Sequence, residues 1–345
     1  MKRTLSAYIS AITAALAVAA VQPAVAATVN GPNLYGRINV TVDKFDHEGA
    51  ARTIAGSSAT VVDQWELNSN ASRLGVKGDI ALEGTGLTVV YQAEYGIDVD
   101  DGNTTFTQRN IFIGLQGDFG RLIAGKHDTP LKLIEGKFDQ FNDLRADIDS
   151  LVGGHNRASN IVQYFSPKFA NGLLSANIGF ILPEGADVDL DGEPDDGLAD
   201  NISASLVADN GTFYGALAYS GNEAASRSVD GIVRADIVRA VGTAKLGQFE
   251  VGALLQQAKD VAPGSDLQDD TVLLSAGWTI DKYKVKAQYG LSSGKVTDEE
   301  GTLAALGLDY ALGGKTRVYT YVSSLDLDKA DRRDNTFAVG FDHTF

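Results

Sequence analysis

The sequence predicts an all-β fold, an up-and-down antiparallel barrel of sixteen strands that crosses a membrane. Three observations carry this. Apolar and polar residues alternate over stretches of about eight to ten residues, which requires a sheet with one apolar and one polar face. Tight turns alternate with long acidic connections, as expected when the two ends of a barrel meet different surroundings. The chain also opens on an export segment. A length of 345 residues would ordinarily suggest two domains, but a barrel of this size forms one unit.

The first element is a leader. Lys2 and Arg3 form a charged start, Leu5 to Val21 are apolar and uncharged, and Pro23 precedes the small-x-small site Ala24-Val25-Ala26. Residues 1–26 are therefore expected to be cleaved, leaving 27–345 as the barrel. Cleavage removes two cations and no acid, so the formal charge falls from −16 to −18. No later stretch approaches the ~20 apolar residues of a membrane helix. The absence of cysteine excludes disulfide scaffolds, thiolate zinc sites and cysteine nucleophiles. So acidic a chain also argues against a nucleic-acid partner, which needs a basic footprint.

On the first strand Leu34, Ile38, Val40 and Val42 share one parity and face lipid, so Arg37, Asn39 and Asp43 point into water. On the second, Leu74, Val76 and Ile80 face lipid, which places Arg73 and Lys77 inside. Around Arg109 parity does not decide, because Ile111, Ile113 and Leu115 share its face.

Residues 127–156 break the alternation. Ile134, Phe138, Phe141, Leu144, Ile148 and Leu151 recur at three or four, and Glu135, Asp139, Asp143 and Asp147 recur at four, which predicts an amphipathic helix with a carboxylate stripe. Gly136 weakens it, so part of the stretch is expected to be irregular. Such a segment either packs against the inside of the barrel with its acids toward the channel or lies on the outer surface.

Asp187, Asp189, Asp191 and Asp195 follow the spacing D-x-D-x-D-G-x-x-D, in which alternate carboxylates converge on calcium. Leu198 stands where a bidentate glutamate is expected, and no helix pattern flanks the motif. An acidic solvated loop is the favoured reading and weak calcium binding the alternative; no other cofactor is implied.

Alternation returns in Phe249, Val251, Ala253 and Leu255, in Val272, Leu274, Ala276, Trp278 and Ile280, and in Leu306, Leu308, Tyr310 and Leu312. In Tyr283, Val285, Ala287, Tyr289 and Leu291 the opposite parity holds Lys282, Lys284 and Lys286, which are read as lumen cations. The last strand carries Phe337, Val339, Phe341 and Phe345. Short turns occur at Asp209-Asn210-Gly211, Leu246-Gly247-Gln248, Asp281-Lys282 and Gly313-Gly314-Lys315; long polar stretches occupy 183–199, 222–230, 259–270, 294–300 and 327–335. A soluble exported sandwich would alternate too, with its apolar face inward. The turn asymmetry and the tyrosines near strand ends favour the membrane barrel.

Six segments in order resemble the Gram-negative general (diffusion) porin family: Asn33 to Arg37, Ser72 to Gly78, Gly86 to Glu94, Arg109 to Leu115, Arg157 to Tyr164 with Ser166-Pro167, and Val339 to Phe345. The resemblance implies a homotrimer in the outer membrane of a Gram-negative bacterium, passing ions and small hydrophilic solutes by diffusion. It carries Arg37, Arg73, Arg109 and Arg157 onto the wall of the narrowest zone, and makes 127–156 the pore-constricting loop that presents Glu135, Asp139, Asp143 and Asp147 opposite them. Phe345 becomes the signal read by the barrel-insertion machinery. The loop around Asp98, Asp100 and Asp101 reaches toward a neighbouring subunit, and outer-membrane lipid and lipopolysaccharide surround the wall. The third loop lacks the Pro-Glu-Phe-Gly-Gly run of enteric members.

No G-x-S-x-G, H-E-x-x-H or P-loop occurs, and His47, His127, His155 and His343 are widely spaced, so no enzyme is expected. A sugar- or oligosaccharide-selective channel is the second reading, disfavoured because the polar parities show no aromatic track; a barrel enzyme is the third. With wall and loop charges nearly balanced and dense carboxylates at the mouth, a mild cation preference is expected.

Overall fold

The structure, a computed structural model, describes residues 28–49, 61–101, 106–185, 192, 197–198, 201–225 and 229–345. Residues 1–26, read as a leader, and the motif residues Asp187, Asp189, Asp191 and Asp195 lie outside the described residues.

The alternating stretches form strands. They are β1 (Thr28–Glu48), β2 (Val61–Ser69), β3 (Arg73–Leu82), β4 (Leu87–Gly96), β5 (Thr107–Gly117) and β6 (Gly120–Asp128). After the insertion come β7 (Arg157–Phe165), β8 (Leu174–Ile181), β9 (Ile202–Asp209), β10 (Phe213–Ala224) and β11 (Arg234–Leu246). The remainder are β12 (Phe249–Asp260), β13 (Gln268–Ile280), β14 (Tyr283–Gly294), β15 (Glu300–Gly313), β16 (Thr316–Leu327) and β17 (Arg332–Thr344). β2 and β3 both pair with β1, every later strand pairs antiparallel with its chain neighbour, and β17 pairs with β1, so the sheet closes.

The second crossing is broken. The distal half of β1 pairs with β2 and its proximal half with β3. Between them Ala71 adopts φ 49°, and Asn39 accepts hydrogen bonds from the Asn70 backbone N–H and the Ser72 hydroxyl. β2 and β3 are thus one interrupted crossing, and the barrel has sixteen. At the seam Gly36 and Phe345 exchange backbone hydrogen bonds of 3.2 and 3.0 Å. A Cβ on Gly36 would lie 2.4 Å from the Phe345 ring, so the seam closes only over glycine there.

Burial inverts the usual order. Leu34, Leu217, Leu274, Leu306 and Val339 are exposed on the outer face, whereas Asn39, Asp43, Arg239, Gln288 and Asp342 are buried within. An apolar exterior over a polar interior suits a chain solvated by lipid. Near the short turns Phe249 stacks on Trp278 and Tyr283 tilts against Tyr310, as an interfacial aromatic girdle requires.

One arc of the interior carries an apolar patch. Ala216, Ile237, Leu254, Leu273, Leu303 and Leu325, from β10 to β16, form a single buried cluster with Leu131, Ile134, Phe138, Ile148 and Leu151 of the segment between β6 and β7. Phe141, Leu144 and Ala146 pack on Ala305, Tyr319, Tyr321 and Ala338. Each large side chain so buried contributes about 1.5–3 kcal/mol, enough to hold a segment with little regular structure.

The helix expected over 134–151 does not form. Only one helical turn, Pro130–Leu133 capped by the Thr129 hydroxyl, and a single 3₁₀ turn, Ile148–Ser150, are present. The apolar spacing of three and four reflects successive turns that each return one side chain to the wall, not a continuous helix.

Candidate functional site

Strand register gathers the arginines. Arg37 on β1 stands directly opposite Arg73 on β3, and Arg73 pairs with Gly96 at the end of β4, which pairs with Thr107 on β5. Arg109 follows two residues on. A bulge there sets Arg109 and Asn110 against the single residue Glu94, so Arg109 leaves the face of Ile113 and turns inward. Parity counting failed at Arg109 for this reason. Arg157 begins β7 opposite Asp128.

Each arginine has a carboxylate partner. Arg37 donates to both oxygens of Asp342, at 2.9 and 3.0 Å, and to Asp143 at 2.6 Å. The same Asp143 oxygen lies 3.8 Å from Arg73. Arg109 donates to Glu94 at 2.8 Å, and the Tyr35 hydroxyl donates to the other Glu94 oxygen. Arg157 meets Asp128 at 3.0 Å and donates to Asn110. All four retain partial exposure, with side chains 11–25 % accessible.

The four segment carboxylates divide. Asp143 alone, at a left-handed corner with φ 67°, reaches the wall arginines. Glu135 is buried against Arg239 and His155. Asp139 accepts from the Phe141 N–H, and Asp147 accepts from the N–H groups of Asp143 and Asp149. The uniform stripe toward water is therefore corrected: aspartate competes with helix by bonding nearby backbone, and two of these residues build the turns that present the third. Burial raises the Asp139 carboxyl to about 7, and burial together with Asp139 raises Asp147. Burial lowers His155 but the Glu135 hydrogen bond and charge outweigh it, so its value is raised.

Residues the sequence reading missed fix the segment. Arg239 is wholly inaccessible, ties to Glu135, and donates to the carbonyls of Leu131 and Gly153 at 3.4 and 2.7 Å, joining both ends of the segment to β11. Arg145 pairs with Asp43 and Glu66 and covers the Phe45 ring at 4.1 Å. A cation between apolar inward neighbours Ile237 and Val241 was the available signal for Arg239; nothing marked Arg145.

The lumen lysines differ among themselves. Lys286 is buried, 3.1 Å from Asp309 and 4.7 Å from the Phe141 ring centre. Lys284 donates to Glu250 at 2.7 Å. Lys77 lies 4.8 Å over the Tyr35 ring. Lys282 sits in the exposed turn before β14 and is not a lumen group.

Two cavities flank the segment. One of about 550 Å³ opens toward the short turns and is lined by Arg37, Asp139, Gln140, Lys284, Lys286 and Arg317 among others. The other, about 340 Å³, opens toward the long loops beside Asn70, Asp143, Arg145, Asp147, His155 and Asp334. Among the described residues no group of three or more His, Cys, Asp or Glu could hold a metal.

Comparison with known proteins gives one family. The family model described as Gram-negative porin matches residues 11–343. The major outer membrane protein P.IB of Neisseria gonorrhoeae is 31% identical over 161 residues, 45% of this chain and 44% of that protein. Its counterpart in Neisseria meningitidis serogroup B is 30% identical over 178 residues, 50% and 49% of the two chains. The chain thus spans about half the length of the curated relatives it matches. Among solved structures, an anion-selective porin from Comamonas acidovorans superposes with a TM-score of 0.72 at 22% identity, over 93% of this chain and all of that one. Salmonella typhi OmpF superposes at 0.66 with 16% identity over 92% and 98%.

Proposed function

Since the chain belongs to the Gram-negative porin family, an outer-membrane family, we propose that it forms a water-filled channel for passive diffusion of ions and small hydrophilic solutes. The observation that carries this is the pairing across the interior: Asp143, held out by the segment, faces Arg37 and Arg73 on the wall, beside cavities lined by charged and polar side chains. Residues 127–156 then constrict the pore, and opposite charges on its two sides set a transverse field. Such a field orders water and orients dipolar solutes, so passage selects by size and dipole rather than by a binding pocket. Apolar solutes gain nothing from the interior and are excluded by it.

The assembly is proposed as a homotrimer embedded among outer-membrane lipid and lipopolysaccharide, delivered by the barrel-insertion machinery through Phe345. Within one chain Asp100 accepts a hydrogen bond from the Ser69 backbone, which supports a fixed Asp98–Asp101 loop for contact with a neighbour. Planar-bilayer recording tests the reading. Stepwise current, linear with voltage in 1 M salt and not blocked by sugars, is the expected result. Block by a sugar would favour the selective channel, and no current would end the proposal. Analytical ultracentrifugation in mild detergent tests the trimer, and a monomer would refute it.

A further inference from the structure

The two cavities carry opposite charge. Around the turn-side cavity six cations, Arg37, Lys137, Lys245, Lys284, Lys286 and Arg317, stand against four carboxylates. Asp342, which bridges Arg37 and Arg317 from behind, reduces that excess without cancelling it. Around the loop-side cavity the proportion reverses: Asp143, Asp147, Asp149 and Asp334 in its lining stand against Arg145 and His155. From outside the lining Arg332 pairs with Asp334 while Arg37 and Arg73 meet Asp143, which reduces the acidic excess without cancelling it. Arg145 is itself engaged by two further carboxylates, Asp43 and Glu66. The chain between these cavities, residues 136–150, is held by the apolar arc, so the change of sign falls at one fixed depth.

We propose that the lumen is a bipolar junction, cation-rich in its mobile ions on the loop side and anion-rich on the turn side, and that it therefore passes current asymmetrically. The inference rests on the channel reading above. When the loop side is held positive, cations enter through the acidic chamber and anions through the basic one, and both accumulate at the junction. With the opposite sign both are drawn away and the junction is depleted. No moving part is needed. The asymmetry exists only while the screening length is comparable with the chambers, ~10 Å at 0.1 M and ~3 Å at 1 M.

The test is the current–voltage curve of the full-length protein in symmetric potassium chloride. Because the chain has no cysteine, Gln248→Cys in the β11–β12 turn can be biotinylated alone. Streptavidin added to one compartment then reports which mouth faces it. The expected result is a conductance about 1.5- to 2-fold larger with the loop side positive at 0.1 M, converging to equality at 1 M. Lys137 and Lys245 are half or more exposed, so K137Q/K245Q folds and should bring the ratio close to one, while K137E/K245E should abolish or reverse it. Equal conductance at 0.1 M, or a ratio unchanged in both double variants, overturns the bipolar lumen while leaving the channel intact. Absence of any current overturns both.

Discussion

The barrel wall has two arcs built on the same alternation and used in opposite ways. From β1 to β7 the inward parity is polar and crowded with arginine, each side chain tied to a carboxylate yet partly wet. From β10 to β16 the inward parity carries an apolar patch among polar residues such as Arg239 and Gln288, and what that patch binds is the chain's own segment rather than water. The first arc is legible strand by strand, since a charged residue on the parity opposite to leucine has only one place to go. The second is not, because leucines on both parities leave the direction open until the segment is known to cover one face. The difference teaches that the segment is part of the core of this barrel. The apolar patch fixes its position and the arginine arc receives Asp143.

The largest effect is expected where the arcs meet. Phe345 closes β17 on β1 at Gly36, so deleting it should reduce heat-modifiable trimer in the outer membrane to background. Normal levels of the deletion variant would separate the seam from assembly and remove Phe345 as the insertion signal. Next in size is release of the segment. Phe138 and Phe141 are fully buried against the apolar arc, and each truncation to alanine costs about 3–5 kcal/mol. The barrel should still assemble, because its strands pair without the segment. F138A/F141A should therefore raise single-channel conductance and admit larger solutes, whereas Arg73→Gln on the other arc should change ion preference with little change in conductance. Equal effects from both variants would erase the distinction between the arcs.

How much was readable in advance follows the same division. The sixteen crossings, their parity at Arg37, Arg73 and Lys77, and the terminal strand came from local alternation, which strand geometry enforces. Arg109 did not, because a bulge at Glu94 changes parity without any mark in the hydrophobic pattern. Nor did the role of Glu135, Asp139 and Asp147. Their four-residue period suggested one helical face, but a short acid beside its own backbone amides can make a turn as readily as a stripe. Lys282 was misplaced by extending a strand's alternation one residue into its turn.

A smaller effect sharpens the division among the segment acids. The acidic loop-side chamber keeps a mild cation preference as the expected selectivity, and Asp143 is the carboxylate set against the wall arginines. Asp143→Asn alone should therefore reproduce most of the shift toward anions expected when Asp139, Asp143 and Asp147 are all changed to asparagine. Reversal potentials across a tenfold gradient of dilute salt measure it. A triple variant that shifts while Asp143→Asn does not would return the stripe to the channel; an anion-selective wild type would refute the preference itself.

The smallest effect is in pH, and it concerns how firmly the segment holds to its arc. Asp139 is raised to about 7 and Asp147 is raised with it, so between the ordinary carboxylate range, about 4, and 7 the docked segment holds protons that a released one would lose. More protons bound in the docked state means docking weakens as pH rises through that window. His155 acts in the same direction: its raised value makes the Glu135 contact fully present below the ordinary histidine range and lost as pH rises through the docked value. Amide exchange across residues 129–156, corrected for intrinsic rate, should accordingly be slower at pH 5.5 than at pH 8.5, while strands β10 to β16 stay equally protected. Asp139→Asn, which keeps the neutral shape and an acceptor for the Phe141 N–H, should remove most of the dependence near 7. Protection that increases with pH, or one unaffected by that substitution, would show that the segment is held by its apolar contacts alone.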